Sequence, residues 1–167
     1  MDWAGTQMLE STRRFSVSDT QELVSCARLM TTQGVTLLQV EAKSGCEIES
    51  ALAVLRRFRA IGRRVVLCDT SNLVVGRQFG SSVVTLGCAE LLISCGLSGR
   101  EIAIGARDAG LSLANVMVCG QAAAAGDVLA SHLVAGDTAL LLGIEDKVCN
   151  SLVAALDRRL SAKLAAA

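Results

Sequence analysis

Short apolar runs alternate along this chain with longer segments in which apolar residues recur every three or four positions. The runs have the length and character of strands that are buried on both faces of a sheet; they cover residues 35–40, 65–68, 90–94, 116–119 and 138–142. The longer segments follow the repeat of an amphipathic helix; they cover residues 44–59, 76–87, 98–109, 121–134 and a last stretch that begins at Glu145 or Asp146.

This alternation predicts a three-layer α/β sandwich, in which helices cover both faces of a mostly parallel sheet. We expect about five or six strands, joined by right-handed crossovers. Residues 28–32 add an edge strand that turns at Gln33, so the sheet can begin with an N-terminal hairpin. No internal repeat or linker divides residues 18–161, which we expect to form one domain. A flexible lead-in (1–17) precedes it and a frayed tail (162–167) follows it.

Three predicted helices begin with the pattern of a capping box, in which two side chains satisfy the free backbone N–H groups of a helix start. The pairs are Asp19 with Glu22, Ser44 with Glu47, and Ser98 with Glu101. The first pair predicts a short additional helix ahead of the edge strand.

Composition narrows the class of protein. Apolar residues make up 51% of the 167 residues and aromatic residues 2%, so aliphatic side chains must build the core. The 16 basic residues balance the 16 acidic ones, which leaves no positive field for nucleic acid or for an anionic membrane surface. The sequence contains no apolar run long enough to span a membrane and no apolar signal core, so we expect a cytoplasmic protein.

The residues most often used in catalysis have structural interpretations here. The 7 cysteines form no CxxC pair and indicate a reducing compartment. With 1 histidine, no metal site is expected. Cys68 and Cys119 lie at strand ends, where a reactive thiol is an option, although buried apolar filling is favoured. His132 has no carboxylate near it in sequence, which favours a helix-end residue over a general base. A solvated helix surface is the favoured interpretation of the arginines at 56, 57, 59, 63 and 64.

The richest candidate for chemistry directly follows the run 65–68. Asp69, Ser71 and Asn72 bring a carboxylate, a hydroxyl and an amide to the end of a predicted strand, and parallel sheets bind ligands at such ends. One interpretation is a small polar site in which Asp69 binds an amine or a cation. In the other, these side chains cap the next helix and satisfy backbone groups of the loop.

A nucleotide site has little support. The chain contains no GxxxxGK[ST] string and no GxGxxG after its first strand, the two patterns that place backbone amides around phosphates. Gly76 and Arg77 at a predicted helix start can hold an anion with free N–H groups and a guanidinium. A solvated helix turn explains the same two residues.

Several segments together resemble the C-terminal domain of the Mur ligases, within the wider Mur and folylpolyglutamate synthase group. They lie between Arg28 and Leu160 and cover residues 34–38, 51–55, 65–69, 105–110 and 136–143. The likeness is strongest to the ligases that add D-Ala-D-Ala to the UDP-muramoyl tripeptide. It implies a Rossmann-like unit that presents an amino acid or dipeptide to an ATP-derived acyl-phosphate held by other domains. Asp69 matches the aspartate of the family's Gly-Asp-Met strand end.

The departures from this family fall on its functional residues. Residues 41–46 replace the family's Tyr-Asn-Ala-Asn-Pro motif, Leu142 stands at its lysine, and Glu145 stands at its arginine. Loss of these cations removes charge that stabilises phosphate. The sequence also contains no ATPase domain. The resemblance therefore implies no ligase activity by this chain alone, and a role for ATP–Mg²⁺ only with a partner ATPase domain.

Three hypotheses remain open at this point. The chain can be a stand-alone, non-catalytic module that binds an amino-acid-like or peptide ligand or a protein partner. It can instead supply the third domain of a ligase to a separate ATPase subunit. A homo-oligomeric structural role is the third, because apolar excess and near-zero charge leave surface for a partner.

Overall fold

The computed structural model describes residues 27–41, 45–58, 61–71 and 75–167. Within these ranges the chain forms six strands and five α-helices. The strands are β1 (Ala27–Thr32), β2 (Val35–Val40), β3 (Arg64–Asp69), β4 (Leu91–Cys95), β5 (Val116–Cys119) and β6 (Thr138–Leu142). The helices are α1 (Gly45–Arg57), α2 (Arg77–Thr85), α3 (Gly99–Asp108), α4 (Ala122–His132) and α5 (Asp146–Ala165). Helix α5 extends over most of the segment 162–167, where the sequence predicts fraying. The predicted lead-in, the helix expected from Asp19 and the capping residue Ser44 lie outside the described residues.

All six strands belong to one sheet, in the order β1-β2-β6-β3-β4-β5. Only β1 runs antiparallel to its neighbour, and every other pair is parallel. The predicted α/β class, the mostly parallel sheet and the N-terminal hairpin are therefore confirmed. Gln33 and Gly34 connect the hairpin with φ values of 49° and 79°, the left-handed pair that a two-residue hairpin turn requires.

The two faces of the sheet carry different helices. Helices α1, α2 and α3 pack on one face, over a core that includes Leu38, Val66 and Leu140. Helices α4 and α5 pack on the other, over a core that includes Leu37 and Leu67. Each of these fully buried side chains contributes about 1.5–3 kcal/mol through removal from water. Alternating residues of one strand thus face two separate cores, which explains why the strands read as continuous apolar runs.

The connections reverse direction between β3 and β6. From β3 the chain moves outward through α2, β4, α3 and β5, and then returns through α4 to place β6 between β2 and β3. As a result, the loop after β3 leads to one face of the sheet and the loop after β6 leads to the other. Open parallel sheets bind ligands at such a switch in strand order, outside the carboxyl ends of the strands.

At the amino end of the sheet, opposite the candidate ligand end, an ion pair connects the residue before β3 to the residue before β6. Nη2 of Arg63 lies 2.8 Å from Oδ2 of Asp137, which is 1% exposed. Backbone N–H groups of Arg63 and Val134 also donate to this carboxylate, at 2.9 and 3.0 Å. Burial on its own raises the pKa of Asp137, but the hydrogen bonds from Arg63 and Val134 outweigh it and hold the pKa below its usual range.

Two local predictions need correction. Arg63 and Arg64 are not part of a solvated helix surface: Arg63 binds Asp137, and the Arg64 guanidinium donates to the carbonyls of Leu55, Arg56 and Phe58 at the end of α1. The exposed Arg56 and Arg57 do fit the predicted surface. The capping box at Ser98 does not form either. Ser98 precedes α3, but its side chain makes no cap hydrogen bond, and Glu101 pairs instead with Arg77.

Helices α2 and α3 approach each other at backbone contact. A Cβ added at Gly80 would collide with the carbonyl of Ile102, and one at Gly105 would collide with the carbonyl of Arg77. Glycine is required at both crossing points because no other residue lets two helix backbones come this close. None of the helices in the described ranges is long and apolar enough to cross a membrane.

Candidate functional site

The loop after β3 holds Asp69 in a fixed local conformation. Oδ1 of Asp69 accepts hydrogen bonds from the backbone N–H of Ser71 at 2.9 Å and from its hydroxyl at 2.6 Å. This arrangement is an Asx turn, the way a short polar side chain imitates a backbone turn. The structural interpretation of Asp69 and Ser71 is therefore correct for one carboxylate oxygen. Asn72, the third predicted ligand residue, lies outside the described residues.

Hydrogen bonds of Thr70 join the loop after β3 to the loop after β4. Its backbone N–H and its hydroxyl both donate to the carbonyl of Cys95, at 3.0 and 2.9 Å. The hydroxyl oxygen also accepts from the backbone N–H of Ser98 at 3.1 Å. Gly96 completes the junction with φ +89°, and a Cβ there would lie 2.8 Å from the Thr70 hydroxyl. These bonds join residues 69–71 to the loop after β4, and this double loop defines the position of Asp69, which suits a binding group.

A cleft of about 440 Å³ opens beside Asp69, between the first turns of α4 and α5. It lies at the reversal between β3 and β6, where the fold predicts a ligand. Its polar lining residues are Asp69, Gln121, Asp127, Glu145, Lys147 and Ser151. Its apolar walls come mainly from alanines of α4 and from Val148 and Leu152 of α5. Both helices direct their N-termini, and so their free N–H groups, towards this end of the sheet.

Charges of both signs line this cleft. Asp69, Asp127 and Glu145 supply carboxylates, and Lys147 supplies an ammonium group. Such a lining fits a small ligand with at least one amine and one anionic group. A metal ion is not favoured, since no group of three or more His, Cys, Asp or Glu side chains in the described part of the chain could hold one.

The predicted anion site at Gly76 and Arg77 is divided between two environments. Gly76 lines a separate cleft of about 250 Å³ on the other face of the sheet, together with Glu49 and Phe79. Arg77 does not line it; its Nε donates to Glu101 at 2.8 Å. The hydrogen bond to Glu101 raises the pKa of the Arg77 guanidinium. An anion at Gly76 stays a prediction, and in this conformation the charge of Arg77 is directed to Glu101.

The surroundings of three cysteines and of His132 favour a structural role over a reactive one. Cys68 is fully buried, and burial raises the pKa of its thiol. Burial raises the pKa of Cys95 to about 12, and it also raises the pKa of Cys119, which is half-buried. A raised pKa keeps a thiol protonated and unreactive. His132 ends α4, and its Nδ1 lies 2.8 Å from the carbonyl of Val128, in agreement with the predicted helix-end role.

Three charged residues of the cleft were not predicted from the sequence to share a site with Asp69. Asp127 lies in the middle of α4, and Glu145 and Lys147 flank the start of α5. Each reads as an ordinary solvated helix residue. They meet Asp69 only because β6 inserts beside β3, and strand order is not readable from local pattern. A search for charges at every predicted helix start would have found Glu145 and Lys147, but not their proximity to Asp69.

Leu142, at the position of the family's lysine, is a core residue. It ends β6 fully buried and packs in the core beneath α1, α2 and α3. Ile144, two residues later, is 3% exposed and belongs to the core of the other face. A charged side chain at either position would be buried in a core, whereas the next residue, Glu145, lines the cleft.

No protein-family model and no curated protein matches this sequence, but several solved structures share its fold. A domain assigned as a UDP-N-acetylmuramate:L-alanyl-γ-D-glutamyl-meso-diaminopimelate ligase from Haemophilus ducreyi aligns with a TM-score of 0.55 at 12% identity, covering 74% of this chain and 93% of that one. The UDP-N-acetylmuramate-alanine ligase MurC from Thermotoga maritima gives 0.55 at 15%, covering 78% of this chain and 28% of that one.

MurF ligase from Thermotoga maritima, solved with ADP, gives a TM-score of 0.52 at 17% identity, covering 81% of this chain and 31% of that one. The chain therefore spans about a third of the two longer ligases. Identities this low establish the fold alone: this protein has the α/β fold of a Mur ligase domain. The similar scores single out no individual ligase.

Proposed function

We propose that this protein is a Mur-ligase-like domain that binds a small amine-bearing ligand, an amino acid or a short peptide, without ligase catalysis of its own. The observation that carries the proposal is the cleft between α4 and α5, which is lined by both Asp69 and Lys147 at the reversal of the sheet. In this proposal, Asp69 binds the ammonium group of the ligand, and Lys147 with the free N–H groups of the helix starts binds its carboxylate.

The absence of catalysis is proposed from the residues around the strand ends. The chain has no GxxxxGK[ST] string to wrap phosphates. Leu142 is buried where the resembling family has a lysine, and Glu145 brings a negative charge to the same loop. A developing phosphate charge would meet repulsion there instead of stabilisation. The sequence segments resemble those of the D-Ala-D-Ala-adding ligases, and on that resemblance we choose D-alanyl-D-alanine as the first ligand to test.

The test is isothermal titration calorimetry of the full chain with D-alanyl-D-alanine, single amino acids and ATP–Mg²⁺. Asp69→Asn removes the charge but keeps an oxygen that can accept from Ser71, so the loop stays folded. The expected result is binding of at least one amine-bearing ligand that weakens about tenfold or more in Asp69→Asn. Asp108→Asn, an exposed carboxylate outside the cleft, is the matched control and should change nothing. Equal binding by Asp69→Asn, or binding of none of these ligands, contradicts the proposal.

A second candidate function follows from the length of this chain compared with the lengths of the longer ligases. Because the chain spans 31% of the MurF ligase, it can act as the third domain of a ligase whose ATP site lies on a separate subunit. Affinity capture with the full chain, followed by an ATP-turnover assay of the captured complex, tests this candidate. It requires a captured protein that carries GxxxxGK[ST] and hydrolyses ATP in the presence of an amine ligand. Capture without turnover, or no such protein, excludes it.

A further inference from the structure

We infer that Gln39 is a positioning residue of the cleft: its side-chain amide fixes the first turn of α5, and with it Glu145 and Lys147. This inference rests on the proposed binding function of the cleft. Gln39 lies on β2, which β6 separates from β3. It is absent from the cleft lining, so any effect on a ligand must pass through α5.

The side chain of Gln39 reaches α5 with two hydrogen bonds. Its Nε2 donates to the carbonyl of Ile144 at 2.9 Å and to Oδ1 of Asp146 at 2.8 Å. These two acceptors flank Glu145, and Lys147 follows directly. Since both partners are acceptors, the amide can face them only with its nitrogen, which determines its orientation. The buried Gln39 side chain therefore bonds both the backbone carbonyl of Ile144, just before α5, and the side chain of Asp146, the first residue of the helix.

Burying the Gln39 amide for these two hydrogen bonds also has an unfavourable consequence. Gln39 is 5% exposed, and its Oε1 has no hydrogen-bond partner among the described residues. Burying an amide oxygen without a partner is destabilising, and native structures rarely do so without a reason. The neighbouring positions of β2 on the same face are Val35 and Leu37, both fully buried. An aliphatic residue would pack in the same core but could not bond the start of α5, so the amide indicates a role beyond packing.

The start of α5 has no side-chain cap. Glu145 occupies the position before the helix and makes no side-chain cap hydrogen bond. Asp146 directs its carboxylate to Gln39. Without the amide, the turn would keep fewer contacts, among them the Gly143 N–H bond to the Val40 carbonyl and the packing of the buried Ile144 and Cys149. The charged groups that line the cleft from α5 would then lose a defined position, which weakens binding more than it weakens the fold.

The experiment combines Gln39→Met in the full chain with hydrogen exchange and calorimetry. Methionine fills a similar volume and packs in apolar surroundings. The expected result is about tenfold faster amide exchange confined to residues 144–148, an unchanged or higher Tm, and roughly fivefold weaker binding of D-alanyl-D-alanine. Gln78→Met, an exposed glutamine on the other face, should leave all three unchanged. Asp146→Ala removes one of the two acceptors and should produce part of the same local exchange, and the double variant should not exceed Gln39→Met.

The outcomes separate this inference from the proposed function. Unchanged exchange at residues 144–148 in Gln39→Met overturns the inference, as does faster exchange throughout β2 and β6, which would indicate a merely structural residue. Wild-type binding that persists undiminished in the variant also overturns it. Faster local exchange in a protein that binds none of the ligands in its wild-type form would support the positioning of the turn and refute the binding function.

Discussion

The two ends of the sheet use charged residues in opposite ways. At the amino end, the Asp137 carboxylate is 1% exposed and satisfied by Arg63 and two backbone N–H groups. At the carboxyl end, the carboxylates of Asp127 and Glu145 are directed into an open cleft. A fully satisfied charge stabilises the fold and has no bonding capacity left for a ligand. A charge left open to a cleft contributes little to stability and is available for binding.

The loops at the two ends of the sheet also differ, in how closely hydrogen bonds join them. At the amino end, Gly62 donates its N–H to the carbonyl of Gly136 at 2.8 Å, and Gly136 donates to the carbonyl of Gly34 at 2.8 Å, so three loops are joined by backbone bonds. At the carboxyl end, Thr70 joins the loops after β3 and β4, while the loop after β6 is joined to β2 by the Gly143 N–H bond to the Val40 carbonyl and by the Gln39 amide. The open side of the carboxyl end is therefore where the cleft forms.

The largest effect on stability should come from Asp137→Ala at the amino end. The change removes the acceptor of the Arg63 ion pair and of two backbone N–H groups and leaves the guanidinium with the carbonyl of His132. Because Arg63 is partly exposed, losing these bonds should cost about 2–3 kcal/mol of unfolding free energy. Urea unfolding measures this loss. Ligand binding at the cleft should be unchanged in the folded fraction. A loss below about 1 kcal/mol would mean that the pair behaves like a surface ion pair and would remove the contrast between the two ends.

A smaller loss is expected from Gly96→Ala at the carboxyl end. The residue has φ +89°, and its Cβ would lie 2.8 Å from the Thr70 hydroxyl and 2.9 Å from the Ser71 nitrogen. Backbone strain and the clash together should cost about 2 kcal/mol and displace Asp69. Gly110→Ala is the matched control, because its φ is +105° but no atom lies within 4 Å of its Cβ. If the two variants lose the same stability in urea unfolding, strain alone is responsible and the double loop is not tight.

The fold was largely predictable because the signals that define it are local. The bounds of β2, β5 and β6 match the apolar runs, since a strand buried on both faces ends where polar residues begin. The helix starts were less predictable: in a capping box the Ser98 N–H would donate to Glu101, but it donates to Thr70 instead. A contact 28 positions apart in sequence leaves no local trace.

The candidate site was predictable only in part, for the same reason. Asp69 was found because it follows a strand, and strand ends are readable. Its partners across the cleft come from two helices that are joined to it only through the strand order. The sequence also did not show that the arginines of this region have different roles. Arg63 and Arg56 look alike in sequence, but one binds a buried carboxylate and the other faces solvent.

Acid should weaken the protein mainly through the amino end. The pKa of Asp137 is lower in the folded state than in the unfolded chain, so its stabilising contribution is complete above the unfolded value of roughly 4 and is lost as the pH falls through the folded value. Urea unfolding at about pH 5 and about pH 3 should show this fall. In Asp137→Asn the fall should be smaller, because the group that titrates is gone. An identical pH dependence in both proteins would assign the acid sensitivity to other carboxylates.

The smallest effect should come from the exposed ion pair between Arg77 and Glu101, and it sharpens the comparison most directly. Its N–O distance is 2.8 Å, the same as that between Arg63 and Asp137, but its side chains are 60% and 51% exposed. Solvent screens such a pair, and holding two long side chains together costs entropy that offsets the attraction. Arg77→Met should therefore leave the urea midpoint within the error of the measurement, whereas Arg63→Met should lower it clearly. If both variants lost equal stability, distance rather than burial would determine the strength of these pairs, and the separation of a stabilising end from a binding end would not hold.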